Sequence, residues 1–414
     1  MKVAYFSPMP PNTSGIADYS ALLVPELAKM IEVEVISEPR RGMRKSCDIA
    51  LYHVGNNPEH HSWIVEALRE RPGLVVLHEH VLHHLVAGMT IAVGDHDGYL
   101  RAMQRDAGVV GRLMAHGIID GVVPPVWESR PMDFPLCGEI LDLATGLIVH
   151  SQTVEDAARG RGYVGPIYRI PHPAWPKPEI AVDPALAGVS GPIFGAFGHL
   201  NTAKRAPQLV EAFAQVVVQE PDAKLLLVGS ASEEIHIDGR LAEIEQAHPG
   251  SVIRLPYVEE DRLWNLIAAC DVCVCLRYPT MGETSGIAIR ALVCGRPLIV
   301  SDVGWFSELS DEVALRVGAG SREIDDIAHA MSDLITDAPR RLCMCERATA
   351  FAAGELEVGV VATRYCRALI DNAGGSQVRA EILDEVSRAA NDVGVAPSGR
   401  DIRLLAARLR EVGV

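Results

Sequence analysis

Short runs of Val, Ile and Leu recur along the chain, separated by stretches in which apolar residues return every three or four positions. The short runs lack the strict apolar and polar alternation of a sheet with one wet face, so they predict strands covered by helices on both sides. In the first half, strands are expected at Val3 to Phe6, Val33 to Ile36, Ile49 to His53, Leu74 to Leu77 and Gly146 to Val149. Helices are expected over Ile16 to Met30, Ser62 to Glu70 and Val154 to Gly160. The second half repeats the grammar, with strands at Ile193 to Phe197, Lys224 to Val228, Ile253 to Leu255, Val272 to Leu276 and Leu298 to Val300. Such alternation predicts an α/β fold built on two doubly wound, Rossmann-like parallel sheets.

A chain of 414 residues exceeds one common core and divides naturally into two domains. The proline-rich stretch Pro171 to Pro178, followed by Val182 to Gly191, supplies the boundary, giving domains over 1–185 and 186–354. Beyond residue 374 two further helices are expected, Val378 to Val393 and Arg400 to Val412, joined at Pro397 to Gly399. That tail is a candidate contact for a homo-oligomer. With 48% hydrophobic and 22% charged residues, the composition is that of an ordinary globular protein.

A formal charge of −16 disfavours nucleic acid as a partner, because phosphate binding needs a basic face. It also disfavours anchoring to anionic lipid, while leaving room for a local basic patch. The prolines close behind Met1 to Ser7 interrupt any signal-peptide pattern, and no apolar run reaches the length of a membrane span. A cytoplasmic location is expected. Nine cysteines fit that compartment as free thiols, since neither Cys270, Cys273 and Cys275 nor Cys343 and Cys345 form the paired spacing of a zinc site.

The most informative segment is Tyr278 to Asp302, which reads as a glycine-bearing loop, a helix and a strand. Thr284, Ser285 and Gly286 fall at the helix start, where unpaired N–H groups and the positive end of the helix dipole favour a diphosphate. Cys294 to Pro297 ends the helix with Gly at the C-cap and Pro shortly after.

This segment resembles the donor-binding motif of the family 4 retaining glycosyltransferases, glycosyl transferases group 1 of the GT-B fold. In that family one glutamate precedes the phosphate-binding helix and a second follows eight residues on. Glu283 resembles the first, displaced by one position by Gly282; Arg290 and Ala291 stand where the second would fall. The resemblance covers about residues 1 to 374 and implies two domains facing across a cleft, with Glu355 to Ala373 as a helix crossing back to the first. It also implies transfer of a sugar from a UDP- or GDP-linked donor to a hydroxyl acceptor, with retention, and no required cofactor or metal.

In open parallel sheets ligands collect beyond the carboxyl ends of the strands, so candidate residues are sought in those loops. After the first strand, Ser14 can cap a helix and Gly15 allows close approach of backbone to a ligand. The loop resembles the family's glycine loop, which contacts donor diphosphate or acceptor; Asp18 and Tyr19 follow it. It also reads as a plain proline-rich turn. Asn56, Asn57 and His60 suit a hydroxyl-rich ligand, although Asn also favours turns.

His78, His80, His83 and His84 crowd around Glu79. Their spacing fails the metalloprotease pattern, because Leu82 lies three after Glu79. By resemblance, His78 stands near the anomeric centre. Gly198, His199, Lys204 and Arg205 follow the first strand of the second domain. The resemblance makes Lys204 the residue that neutralises the departing diphosphate; His199 occupies the family's arginine position, and Arg205 is expected to supply the guanidinium instead. Gly229, Tyr257, Val258 and Arg290 are the implied nucleoside contacts. Alternatives that keep the fold are a nucleotide-sugar epimerase or an inverting transferase with His78 or His80 as base. A different class, a catalytically silent sugar-nucleotide binding protein, also accommodates the missing glutamate.

Overall fold

The computed structural model describes residues 1–12, 14–39 and 47–394, with four isolated positions beyond residue 400. Two six-stranded sheets organise the chain, and every strand pairing in them is parallel. The first contains β1 (Lys2–Phe6), β2 (Glu32–Ile36), β3 (Ile49–Val54), β4 (Gly73–Leu77), β5 (Ala144–Val149) and β6 (Ile167–Arg169), in the order β2-β1-β3-β4-β5-β6. The second contains β7 (Ile193–Phe197), β8 (Lys224–Val228), β9 (Val252–Leu255), β10 (Val272–Cys275), β11 (Leu298–Ser301) and β12 (Ala314–Val317), in the order β12-β11-β10-β7-β8-β9.

Strands β3, β4 and β7 are buried along their whole length, as their unbroken apolar runs require. The sequence missed β6 and β12. Both are short edge strands carrying partly exposed residues, and too little hydrophobic pattern marks them. It also missed the long helix His96–Ile119, whose regular turn breaks at Ala107 and Gly108. The division expected at residue 185 falls between β6 and β7.

Strand order reverses between β1 and β3 in the first sheet and between β7 and β10 in the second. Those reversals open a crevice at the carboxyl ends of the strands, because the connecting helices leave to opposite faces. The loops that follow β1, β3, β7 and β10 therefore define where a ligand can enter.

Helix Ala338–Gly354 packs Met344, Ala348 and Ala352 into the second core. The chain then returns to the first domain, where Val361, Ala362, Tyr365 and Leu369 of helix Val358–Asp392 pack against Val3, Tyr5 and Leu23. Tyr365 and Tyr19 join their hydroxyls at 2.6 Å, and Asn372 hydrogen-bonds Thr145 through both its side-chain oxygen and nitrogen. The returning helix and the expected helix at Val378 to Val393 form one continuous element. The region expected to hold Arg400 to Val412 lies outside the described residues apart from isolated positions.

Further contacts fasten the two halves together beside the cleft. The backbone N–H groups of His80 and Val81 both donate to the Met281 carbonyl, at 2.9 and 3.0 Å. Glu308 accepts from the backbone N–H groups of Gln152 and Thr153 at 2.9 and 2.8 Å, capping a helix of the opposite domain.

Candidate active site

A cleft of about 370 Å³ lies between the two halves. The first domain contributes Ser14, Gly15 and Asp18 from beyond β1, Asn56, Asn57 and His60 from beyond β3, and His78 and Glu79 from the end of β4. Glu283, Thr284, Gly286 and Arg290 face them from the second domain. An adjoining cavity of about 280 Å³ is lined by Lys204, Arg277 and Phe306 together with Thr284, Ser285 and Gly286. Thr284, Gly286 and Arg290 line both spaces, so the two are one continuous locus.

The helix Gly286–Val293 begins where the sequence predicts, with the Ser285 hydroxyl accepting from the Ala288 N–H at 3.3 Å. Its first turn faces the cavity occupied by the Lys204 ammonium. That ammonium donates to the Phe197 carbonyl at 3.2 Å, and burial, with the Arg277 charge nearby, lowers its pKa to about 8. Gly198 leaves space for it. With φ of +88°, Gly198 adopts a conformation that suits glycine, and a Cβ there would lie 2.6 Å from Lys204 Nζ.

Glu283 is held by three groups of its own loop. It accepts from the Met281 N–H at 2.7 Å and the Thr280 hydroxyl at 3.1 Å, and it lies 2.9 Å from Arg277 Nε. Gly282 makes this loop possible: φ is +88°, and a Cβ would press on His80 at 3.0 Å.

A group of rings lies at the base of the cleft. Tyr19 packs edge-on against His78 and His172 and also against His53 and His150. His53 and His78 share a hydrogen bond at 3.0 Å, while the Nδ1–H groups of His150 and His172 donate to the Ile170 and Pro173 carbonyls. Burial drives all four below the usual imidazole range, well below for His53 and His78, to about 4 for His150 and about 3 for His172. They are neutral rings at neutral pH. Burial also raises the Glu79 pKa to about 7, with the Glu283 charge adding to the effect.

The crowded histidines disperse to separate partners. His78 bonds His53, His80 lies against Cys137, His83 bonds the Phe134 carbonyl and the Tyr99 hydroxyl, and His84 accepts from the Asn56 amide. Among the described residues no group of three or more His, Cys, Asp or Glu is placed to hold a metal ion.

Several expected contacts fall elsewhere. Arg205 does not line either space: its guanidinium closes a two-pronged ion pair with Glu323, a carboxylate only 2% exposed. The position beside Lys204 that sequence reasoning gave to Arg205 is filled by Arg277, which follows β10 and adjoins Lys204 only in space. Tyr19 is fully buried, because one helical step of about 100° from Asp18 turns it from the cleft into the core.

His199 is occupied by the hydroxyls of Ser230 and Ser232, both at 2.8 Å. Gly229 packs against the Gly198 backbone, Val258 enters the core, and Tyr257 is exposed; none of the three lines the cleft or the adjoining cavity. Trp175, His150 and His172 were also missed. Trp175 stands in the proline-rich linker and stacks under the Arg290 guanidinium at 3.8 Å, while Arg290 Nε bonds Glu260 at 2.8 Å.

Residues 191–337 match the family model described as Glycosyl transferases group 1. Over 181 residues the chain is 26% identical to a GDP-mannose-dependent monoacylated alpha-(1-6)-phosphatidylinositol monomannoside mannosyltransferase from Corynebacterium glutamicum, covering 42% of this chain and 45% of that one. Over 169 residues it is 30% identical to a D-inositol 3-phosphate glycosyltransferase from Nocardia farcinica, covering 39% of this chain and 37% of the relative. The chain thus spans less than half the length of these curated relatives.

Among solved structures, sucrose-phosphate synthase from Thermosynechococcus elongatus has a TM-score of 0.60 at 16% identity, covering 90% of this chain and 98% of that chain. HepE from Anabaena, in complex with UDP and glucose, has a TM-score of 0.57 at 16% identity, covering 90% and 100%. The fold is GT-B. The sequence likeness to the group 1 glycosyl transferases lies in the second domain, and the likeness in fold to these solved structures covers 90% of the chain.

Proposed function

We propose that this protein transfers a sugar from a nucleoside diphosphate to a hydroxyl acceptor, with retention at the anomeric carbon and without a metal ion. The observation that carries the reading is the single cavity shared by the Lys204 ammonium and the start of helix Gly286–Val293. As the glycosidic bond breaks, negative charge accumulates on the diphosphate, and donors already fixed around it lower the barrier. Lys204 and the N–H groups near Ser285 and Gly286 fill that role, and Arg277 adds a second charge. Glu283, clamped by Thr280, Met281 and Arg277, is oriented to accept from sugar hydroxyls in the cleft. His78 stands on the opposite wall as a neutral ring that positions the sugar.

Both UDP and GDP fit this argument, which concerns the diphosphate alone. Glu283→Gln is expected to raise the KM for the nucleotide sugar about tenfold or more, from loss of a charge-assisted hydrogen bond. Affinity for the nucleoside diphosphate should change little. Equal loss of both would remove Glu283 from the sugar.

A second reading rests on Glu79, a half-buried carboxyl at the cleft with a pKa of about 7. Such a group could serve as general base for an inverting transfer. The anomeric configuration of the product, read by proton NMR, separates the two: retention supports the proposal, and inversion supports the reading with a general base, for which loss of turnover in Glu79→Gln would single out Glu79.

A further inference from the structure

His150 follows β5 and His172 lies in the proline-rich linker, yet the fold brings both to the wall of the cleft, where they are 6% and 9% exposed. Their rings continue a row that starts at His78. The centroids of His78 and His150 are 5.1 Å apart, and those of His150 and His172 are 5.7 Å apart. Trp175, which also lines the cleft, ends the row at 5.2 Å from His172.

The hydrogen bonds of His150 and His172 fix which nitrogen carries the proton. In each ring Nδ1 lies 2.8 Å from a backbone carbonyl, that of Ile170 or of Pro173. A carbonyl can only accept, so Nδ1 holds the hydrogen, and a neutral ring then leaves Nε2 as a bare lone pair. Burial keeps both rings neutral at neutral pH. His150 Nε2 is buried without any hydrogen-bond partner, a state that carries a desolvation cost until a donor reaches it. The charged groups of the same cleft do not supply one: Asp18 and Glu283 are carboxylates, and Arg290 is engaged by Glu260 and Trp175.

We propose that His150 and His172 are positioning residues that accept hydrogen bonds from hydroxyl groups of the transferred sugar, extending the wall begun by His78. The inference rests on the reading of the cleft as a transferase site and adds to it the polarity of the ligand, which must bring protons to this wall. Two backbone carbonyls therefore set the direction of the sugar's hydrogen bonds, because they hold the tautomer of each ring.

Calorimetric titration of the full chain with UDP, GDP, UDP-glucose, UDP-N-acetylglucosamine and GDP-mannose tests this. Against the nucleotide sugar that the parent binds most tightly, His150→Phe and His172→Phe should each weaken binding about three- to tenfold, while affinity for the matching nucleoside diphosphate stays within about twofold. His172→Gln returns an acceptor oxygen at the end of the side chain and should recover most of the loss. A purely structural role would leave the Gln variant as weak as the Phe variant.

Should a ring substitution lower the thermal midpoint, the parent itself decides the matter. Nitrogen NMR of its histidines should show Nδ1 protonated and Nε2 bare in both rings, with the Nε2 signals moved by the nucleotide sugar and not by the nucleoside diphosphate. Phe variants that bind nucleotide sugar as the parent does would overturn the inference, as would equal loss of affinity for the nucleoside diphosphate, or Nε2 signals that the sugar leaves in place. A parent that binds none of these ligands would instead sink the transferase reading, and this inference with it.

Discussion

Acidification from pH 7.5 to about 5 is expected to unfold the protein, well above the pH at which carboxylate pairs alone would fail. The cause is the set of histidines buried as neutral rings, some lining the cleft and others packed in the first domain behind it. Burial lowers His61, His80, His83 and His150 to about 4 and His172 to about 3, with His53 and His78 lower than the ordinary range as well. An unfolded histidine takes up its proton near 6.5, whereas the folded one does not until about 4. Across that window the unfolded chain binds more protons, so stability falls as pH falls.

Each such group removes up to about 1.4 kcal/mol per pH unit below 6.5. Glu79 acts in the opposite sense, because its folded pKa lies above the unfolded one: the stability it contributes is full below about 4.5 and is lost as pH rises through about 7. One carboxyl offsets about one histidine, which leaves several. Their sum over a single pH unit rivals the roughly 5–15 kcal/mol that holds a domain folded. Circular dichroism and tryptophan fluorescence followed through a pH titration should give a midpoint between about 6 and 5. A protein that stays folded to pH 4 would show that these rings can be protonated in place.

Replacing Lys204 with methionine is expected to reduce kcat/KM for sugar transfer by about 10²–10³-fold, the effect of deleting one fixed donor to a developing anion. Methionine keeps most of the apolar stem and removes the charge, so the fold should persist and the thermal midpoint should stay near that of the parent. The reduction should fall mainly on kcat, because charge on the diphosphate grows as the bond to sugar breaks. Turnover of the variant within a few-fold of the parent would place the diphosphate elsewhere.

Much of this architecture was legible in the chain because strands covered on both faces leave continuous apolar runs, and β1, β3, β4, β7 and β8 carry such runs. The edge strands β6 and β12 were not legible, since three or four residues with Tyr168, Arg169 or Arg316 among them look like loop. For the site, two helix starts were readable from cap residues, since Ser14 and Ser285 each accept from a backbone N–H of the helix they precede, whereas the helix capped by Asn57 begins at Pro58, ahead of the expected start at Ser62.

What sequence could not supply was direction. Asp18 and Tyr19 are neighbours in the chain, yet one lines the cleft and the other is buried in the core. Arg205 follows Lys204 yet turns to Glu323, while Arg277, dozens of positions later, arrives beside Lys204 because β7 and β10 are adjacent at the point where strand order reverses. A rule that every charged residue after a central strand is a candidate would have found Arg277. No local pattern would have found Trp175, whose place depends on how the linker lies against Arg290.

The central claim is that Lys204 and the start of helix Gly286–Val293 together hold a diphosphate, and calorimetric titration with UDP and GDP tests it most directly. At pH 7 at least one of them should bind with one site per chain and far more tightly than its nucleoside. The Lys204→Met variant should lose on the order of tenfold to a hundredfold in that affinity. Raising the pH through about 8, where the free lysine gives up its proton, should weaken binding to the parent and leave the variant unaffected. Equal affinity of parent and variant, or a nucleoside that binds as tightly as its diphosphate, would contradict the account.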